Sequence, residues 1–166
     1  RRGMGRKRNK LQGQIFSFII CFLFVENVNA ALIENSINSH KNQFQTIALK
    51  IWNHAELGYQ ENQSSELLAD ALEKEGFTIT RGVAGIPTAF IAEYGSGGPV
   101  IGILGEFDAL PGLSQTTSPF KEIADNASGG GHACGHHLFG ASSAWASVAI
   151  KEWLVESKTE GRIRFY

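Results

Sequence analysis

The amino-acid sequence predicts an α/β fold, and three observations predict it. Apolar residues recur at three- and four-residue intervals in Phe44, Ile47, Ala48, Ile51 and Trp52, and again in Leu67, Leu68, Ala71 and Leu72, which is the spacing of one buried helix face. Short β-prone runs over 77–80, 88–94, 99–104 and 161–166 alternate with them. The 19 glycines are concentrated in loops from Gly82 onward, which suits a sheet with tight connections better than a helical bundle.

In chain order, Arg6, Lys7, Arg8 and Lys10 precede an apolar stretch from Ile15 to Val25, and Val28-Asn29-Ala30 offers small-residue cleavage after Ala30. That is the layout of a secretory signal over residues 1–30, with residues 1–3 upstream of the true start at Met4. The apolar run falls short of the roughly twenty residues of a membrane-spanning helix. An exported mature chain without a stable membrane span is expected. Ile20 before Cys21 is a poor lipoprotein context, and cleavage leaves Cys134 as the one remaining cysteine.

The first helix is expected to end at Glu56-Leu57-Gly58-Tyr59, and the second to run from about Ser64 to a stop at Gly76. Pro87 sets the entry to the strand at 88–94. Gly95-Ser96-Gly97-Gly98 reads as a hairpin-type turn into a buried strand at 99–104. Ser96 lacks the strand–Gly-x-Ser-x-Gly–helix context of a hydrolase nucleophile. A long polar loop is expected over 112–131 and an alanine- and serine-rich helix over 140–153, with Trp145, Val148, Ala149 and Leu154 inward. Asn62-Gln63-Ser64 and Asn126-Ala127-Ser128 fit the glycosylation pattern, which matters only in a eukaryotic secretory route.

The formal net charge is −1, with no basic surface of the kind nucleic acid requires. Chemistry concentrates in Gly129–Gly140, GGGHACGHHLFG, where Cys134 lies among His132, His136 and His137. Thiolate and imidazole are the donors a borderline-soft divalent ion prefers. Glu106 and Asp108 follow an apolar strand, where open α/β sheets place ligands. Period-two alternation puts both carboxylates on one face, where something positive must offset them. Isolated from the Cys/His cluster they would read equally well as a solvated acidic pair.

Three motifs then occur in order: Gly82-Val83-Ala84-Gly85-Ile86-Pro87-Thr88-Ala89, GILGEFDALPGLSQ from Gly102 to Gln115, and GHACGHHLFG from Gly131 to Gly140. Together they resemble the zinc-dependent amidohydrolase family of aminoacylases and carboxypeptidases, nearest the p-aminobenzoyl-glutamate hydrolase and N-acyl-amino-acid amidohydrolase branch. The resemblance runs from about Phe44 to Tyr166. It implies a mixed-sheet catalytic domain in a two-domain, homodimeric metallohydrolase, of which residues 31–166 are the N-terminal part. The three residues before Met4, and an end inside a β-prone run, fit that expectation of a truncated chain.

The resemblance further implies that Cys134 and His136 are ligands of a two-metal centre, probed first as zinc with manganese or cobalt as alternatives. Asp108 falls where relatives orient a metal-binding imidazole. Glu106 stands where the wider family often has a ligand histidine and this branch an acidic residue, so it is expected as a ligand or a polar group of the substrate site. His132 is expected to be structural or orienting. His137 replaces the usual Asn or Asp and receives no role. The general-base glutamate is expected beyond Tyr166, so that this piece alone is inactive and the parent cleaves the amide of an N-acyl or N-aroyl amino acid or a dipeptide. A non-catalytic metal-binding homologue lacking the glutamates is the alternative class, and metal-free thiol chemistry at Cys134 a third.

Overall fold

A computed structural model describes the backbone of residues 4–125 and 129–166, with side chains from Asn29 onward. The side chains of residues 1–28 of the expected signal segment therefore lie outside the described residues, as does the whole of the sequon at Asn126. Helix α1 spans Met4–His54 without a break, so it continues through the expected cleavage point, and Trp153 Nε1 donates to Asn29 Oδ1 at 2.8 Å. Among the described residues no helix is long and apolar enough to cross a membrane.

The predicted stripe buries Phe44, Ile47, Ala48 and Ile51. Helix α1 stops where Ala55 and Tyr59 take positive φ, a conformation that ends a helix. Helix α2, Asn62–Lys74, buries Leu68, Ala71 and Leu72, and Gly76 at φ 90° terminates it. Strand β1, Thr78–Arg81, a 3₁₀ turn at Val83–Gly85, and β2, Phe90–Ser96, follow.

Strand β3, Val100–Ile103, and β6, Gly161–Phe165, complete a four-stranded sheet of order β1-β2-β6-β3. It is mixed: β6 runs parallel to β3 and antiparallel to β2. This corrects the hairpin expectation, because β6 lies between β2 and β3. Gly95 serves the β2–β6 approach instead: at φ 97°, a Cβ there would lie 2.1 Å from the Gly161 carbonyl oxygen. The buried-strand expectation is also corrected. Strand β3 is an edge of the described sheet, with Val100 and Ile101 exposed.

Strands β4, Leu110–Pro111, and β5, Gly130–Gly131, pair antiparallel. They close the long polar loop at its base. Helix α3, His136–Ser157, begins one turn earlier than the sequence suggests, which moves His136 and His137 from the loop onto the helix. Alternation along β2 and β6 sends Phe90, Ala92, Ile163 and Phe165 to one face, where they join residues of all three helices in a single core. Trp145 stacks on Phe44 with ring centroids 6.0 Å apart.

Candidate metal centre

The site forms where the end of β3 meets the N-terminus of α3. After Ile103 the chain leaves the sheet, and Gly105 N donates to the Tyr166 carbonyl at 2.9 Å. Glu106 and Asp108 lie in the irregular segment 104–108, and both carboxylates reach the same side chain, His136. Ala109 N donates to the Glu56 carbonyl at 2.7 Å and Ala109 bridges Leu57, pinning the far side of the segment.

Across from it, Gly135 opens α3 in the left-handed conformation at φ 74°, so no side chain caps this end. Its partial positive charge favours carboxylates nearby. His136 sits in the first turn, and Gly140 lies one turn on along the same face. A Cβ on Gly140 would lie 2.8 Å from the Glu106 carbonyl oxygen and 3.2 Å from Phe107 Cβ. The glycine is what lets helix and strand end approach closely enough for their side chains to meet.

They meet at one imidazole. His136 Nδ1 lies 2.8 Å from Asp108 Oδ1, and Nε2 lies 2.9 Å from Glu106 Oε2. Glu106, Asp108 and His136 bring ligand atoms within 4.8 Å of one another. A carboxylate that accepts from Nδ1–H fixes the ring and leaves Nε2 as the coordinating atom, an arrangement common among metal-binding histidines. Asp108 is the carboxylate in that position relative to His136 Nδ1.

The other sequence-predicted residues are placed differently. Cys134 is a free, exposed thiol in the turn before α3 and is not one of the three grouped residues. His132 is buried and donates from Nε2 to the Ile51 carbonyl at 3.0 Å. This donor role makes Nδ1 its lone-pair atom, and that atom has no hydrogen-bond partner. Burial holds His132 below the ordinary histidine range; the Ile51 carbonyl opposes that shift. His137 packs edge-on against Trp52, centroids 4.9 Å apart, and beside His132 at 5.0 Å. Burial first, and His132 second, pull His137 down to about 4. Both rings form an aromatic support with Trp52 beneath the Cys-Gly-His turn.

Glu56 and Glu61 escaped the sequence reading. Glu56 caps α2, its Oε2 accepting from Ser64 N and Ser64 Oγ at 2.8 Å each and its Oε1 from Gln63 N at 3.0 Å. Burial raises its pKa, but these donors outweigh burial and hold the carboxyl below its ordinary range. Glu61, itself buried, accepts from Thr88 Oγ1 at 2.7 Å and Tyr59 N at 2.9 Å. The Glu-x-x-x-x-Glu spacing at the α1–α2 junction was the available signal.

No family model matches the chain. It is, however, 44% identical over 134 residues to one of the subunits of the p-aminobenzoyl-glutamate hydrolase of Escherichia coli (strain K12), across 81% of this chain and 28% of that protein. The chain's relatives match it to the amidohydrolase–carboxypeptidase family. Within that family it is also 36% identical over 114 residues to N-acetylcysteine deacetylase of Bacillus subtilis (strain 168), across 68% of this chain and 28% of the relative. A solved Bacillus subtilis structure, described as a dinuclear metal-binding peptidase of the M20 family, superposes with TM-score 0.60 at 30% identity, covering 77% of this chain and 35% of that one. A Staphylococcus aureus aminohydrolase structure matches in fold, with TM-score 0.62 at 24% identity over 82% of this chain and 34% of that one. The chain thus spans under a third of the length of the curated relatives it matches.

Proposed function

We propose that the protein containing this chain hydrolyses the amide bond of an N-acyl or N-aroyl amino acid, or of a dipeptide, at a centre of two divalent ions, zinc in the first instance. The observation that carries the reading is His136, held through Nδ1 by Asp108 with Nε2 2.9 Å from Glu106 Oε2, in a chain related to amidohydrolases.

The donor chemistry fits such a group. His136 offers an oriented imidazole, and the exposed Cys134 thiol stands two positions away in sequence, a soft donor suited to zinc. Those two residues would hold metal, and Asp108 would keep the ring in its coordinating tautomer. When bound, the ions supply Lewis acidity toward the scissile carbonyl and a water of lowered pKa. The chain itself supplies orientation: Gly140 sets the spacing, and the Trp52–His132–His137 layer fixes the turn carrying Cys134.

The test is release of the free amino acid from p-aminobenzoyl-glutamate, hippurate and N-acetylcysteine by the whole protein, before and after chelation. Chelator-sensitive turnover restored by zinc supports the reading. Metal-independent turnover, or none with metal bound, refutes it. Export and homodimerisation belong to the same proposal. The basic and apolar run before Ala30 supports export, and a mature protein whose N-terminal residue is not Ala31 counts against it. Dimerisation rests on the family resemblance, with sedimentation equilibrium as its check.

A further inference from the structure

We propose that the chain carries a separate cation site, where His40 of α1, Glu75 at the end of α2 and Glu152 of α3 hold one divalent ion of the zinc type and tie the three helices together. The site is independent of the centre at His136. Glu152 stands 16 positions beyond His136 on α3, about 24 Å along the axis at about 1.5 Å per residue.

Three helices bring the donors together. His40 Nε2 lies 2.8 Å from Glu152 Oε1, and Nδ1 lies 3.6 Å from Glu75 Oε1. The three residues offer ligand atoms within 4.8 Å of one another. Their side chains are 16%, 18% and 33% exposed for His40, Glu75 and Glu152, which is a half-buried cluster and not a solvated acidic face. Glu75 is also the C-cap of α2, where the partial negative charge of the helix end adds to that of the carboxylates.

The charges leave a cation wanting. Lys151 Nζ donates to the Glu75 carbonyl at 2.9 Å and lies 3.7 Å from Glu75 Oε2, so it takes the second oxygen of Glu75 and leaves Oε1 to His40. One carboxylate is then unmatched while the imidazole is neutral. Gln43 Oε1, 3.3 Å from Nδ1, accepts from Nδ1–H in that neutral ring, which turns the Nε2 lone pair onto Glu152 Oε1. Two lone pairs at 2.8 Å repel unless a proton or a metal ion joins them. Zinc lies about 2.0–2.2 Å from nitrogen and carboxylate oxygen, so both atoms reach one ion.

Ser36 favours the ion over the proton. It precedes His40 by one turn on the same face of α1, is only 5% exposed and lies beside Glu152, yet its Oγ has no hydrogen-bond partner. A second proton on His40 joins the ring to Glu152 and leaves that hydroxyl orphaned, a costly state for a buried polar group. Ser36, Glu75 and Glu152 line one cleft of about 590 Å³, which admits a hydrated ion. An ion with its remaining water supplies the partner that Ser36 lacks.

The experiment dialyses the whole protein against buffered zinc and counts bound ions by plasma mass spectrometry, with affinity read by titration. His40→Gln and Glu152→Gln are each expected to hold one ion fewer than wild type, or to bind that ion at least about 10-fold more weakly, the lower end of what even orienting partners contribute. His136→Asn is expected to keep it, which separates this site from the other centre. Far-UV circular dichroism confirms that the variants fold. Equal ion counts and affinities in wild type, His40→Gln and Glu152→Gln overturn the proposal and leave the cluster a protonated ion pair. Anomalous scattering at the zinc edge from wild-type crystals answers without any variant: a peak about 2.0–2.2 Å from His40 Nε2 is expected, and no peak there at saturating zinc overturns the site.

Discussion

Replacing Gly140 by alanine separates the packing of the site from its chemistry. The added methyl would lie 2.8 Å from the Glu106 carbonyl oxygen, about 0.6 Å inside the 3.4 Å at which contacts become ordinary, and only slightly inside it at Phe107 Cβ and Leu68 Cδ1. The backbone contact is the one that cannot yield by a rotamer change. Overpacking of this kind costs about 1–3 kcal/mol, and removing a mid-helix glycine returns about 0.8–1.0 kcal/mol. The net loss of stability is therefore about 0–2 kcal/mol, small enough for the variant to fold. The same 0.6 Å displacement, applied to contacts of 2.8 and 2.9 Å at His136, stretches both to the edge of hydrogen bonding. Metal affinity is then expected to fall about 10–100-fold, the range for losing an orienting partner. Urea unfolding and isothermal titration with zinc measure the two quantities on one preparation. A Gly140→Ala protein with wild-type zinc affinity would refute the claim that close helix–strand approach builds the centre.

Three other expectations concern the scaffold. Alanine at Gly105 would place its methyl 2.4 Å from Phe165 Cζ, and because Phe165 is fully buried the ring cannot swing away; a loss of about 1–3 kcal/mol in urea unfolding is expected. Glu56→Gln removes a charged cap from α2, for an expected loss of about 0.5–2 kcal/mol near neutrality. The Glu56 carboxyl is lowered from 4.5 on folding, so its contribution is present above pH 4.5 and is lost as pH falls through its native value; thermal melts of the variant should converge on wild type in acid. His40 contacts Glu152 at 2.8 Å and Glu75 at 3.6 Å. Burial pulls it down, but Glu152, Gln43 and Glu75 outweigh burial and raise it above 6.5. Its contribution is thus full below pH 6.5 and lost as pH rises through the native value, and His40→Gln should flatten that part of the melting-temperature profile; an unchanged slope would count against the assignment.

Much of this was legible in the sequence where the information is local. The stripes of α1 and α2 announce themselves because one helix face repeats every few residues, and the pairing of Glu106 with Asp108 was expected from their two-residue spacing although the chain there is irregular. Strand order was not legible. Nothing near Gly95–Gly98 says that β6, some sixty residues later, inserts between β2 and β3. The start of α3 was hidden because a left-handed glycine, not a serine or aspartate, precedes it. His132 was expected to be structural or orienting, but its partner, the Ile51 carbonyl 81 positions away, could not be read from the sequence. Cys134 is the reverse case, conspicuous in sequence and exposed in the structure apart from the His136 cluster.

X-ray absorption at the zinc edge of the loaded chain tests the metal centre most directly. One sulfur at about 2.3 Å and nitrogen or oxygen donors at about 2.0–2.2 Å are expected, with the sulfur lost in Cys134→Ser and a nitrogen lost in His136→Asn. A spectrum of light atoms alone, unaltered by either substitution, would contradict the account.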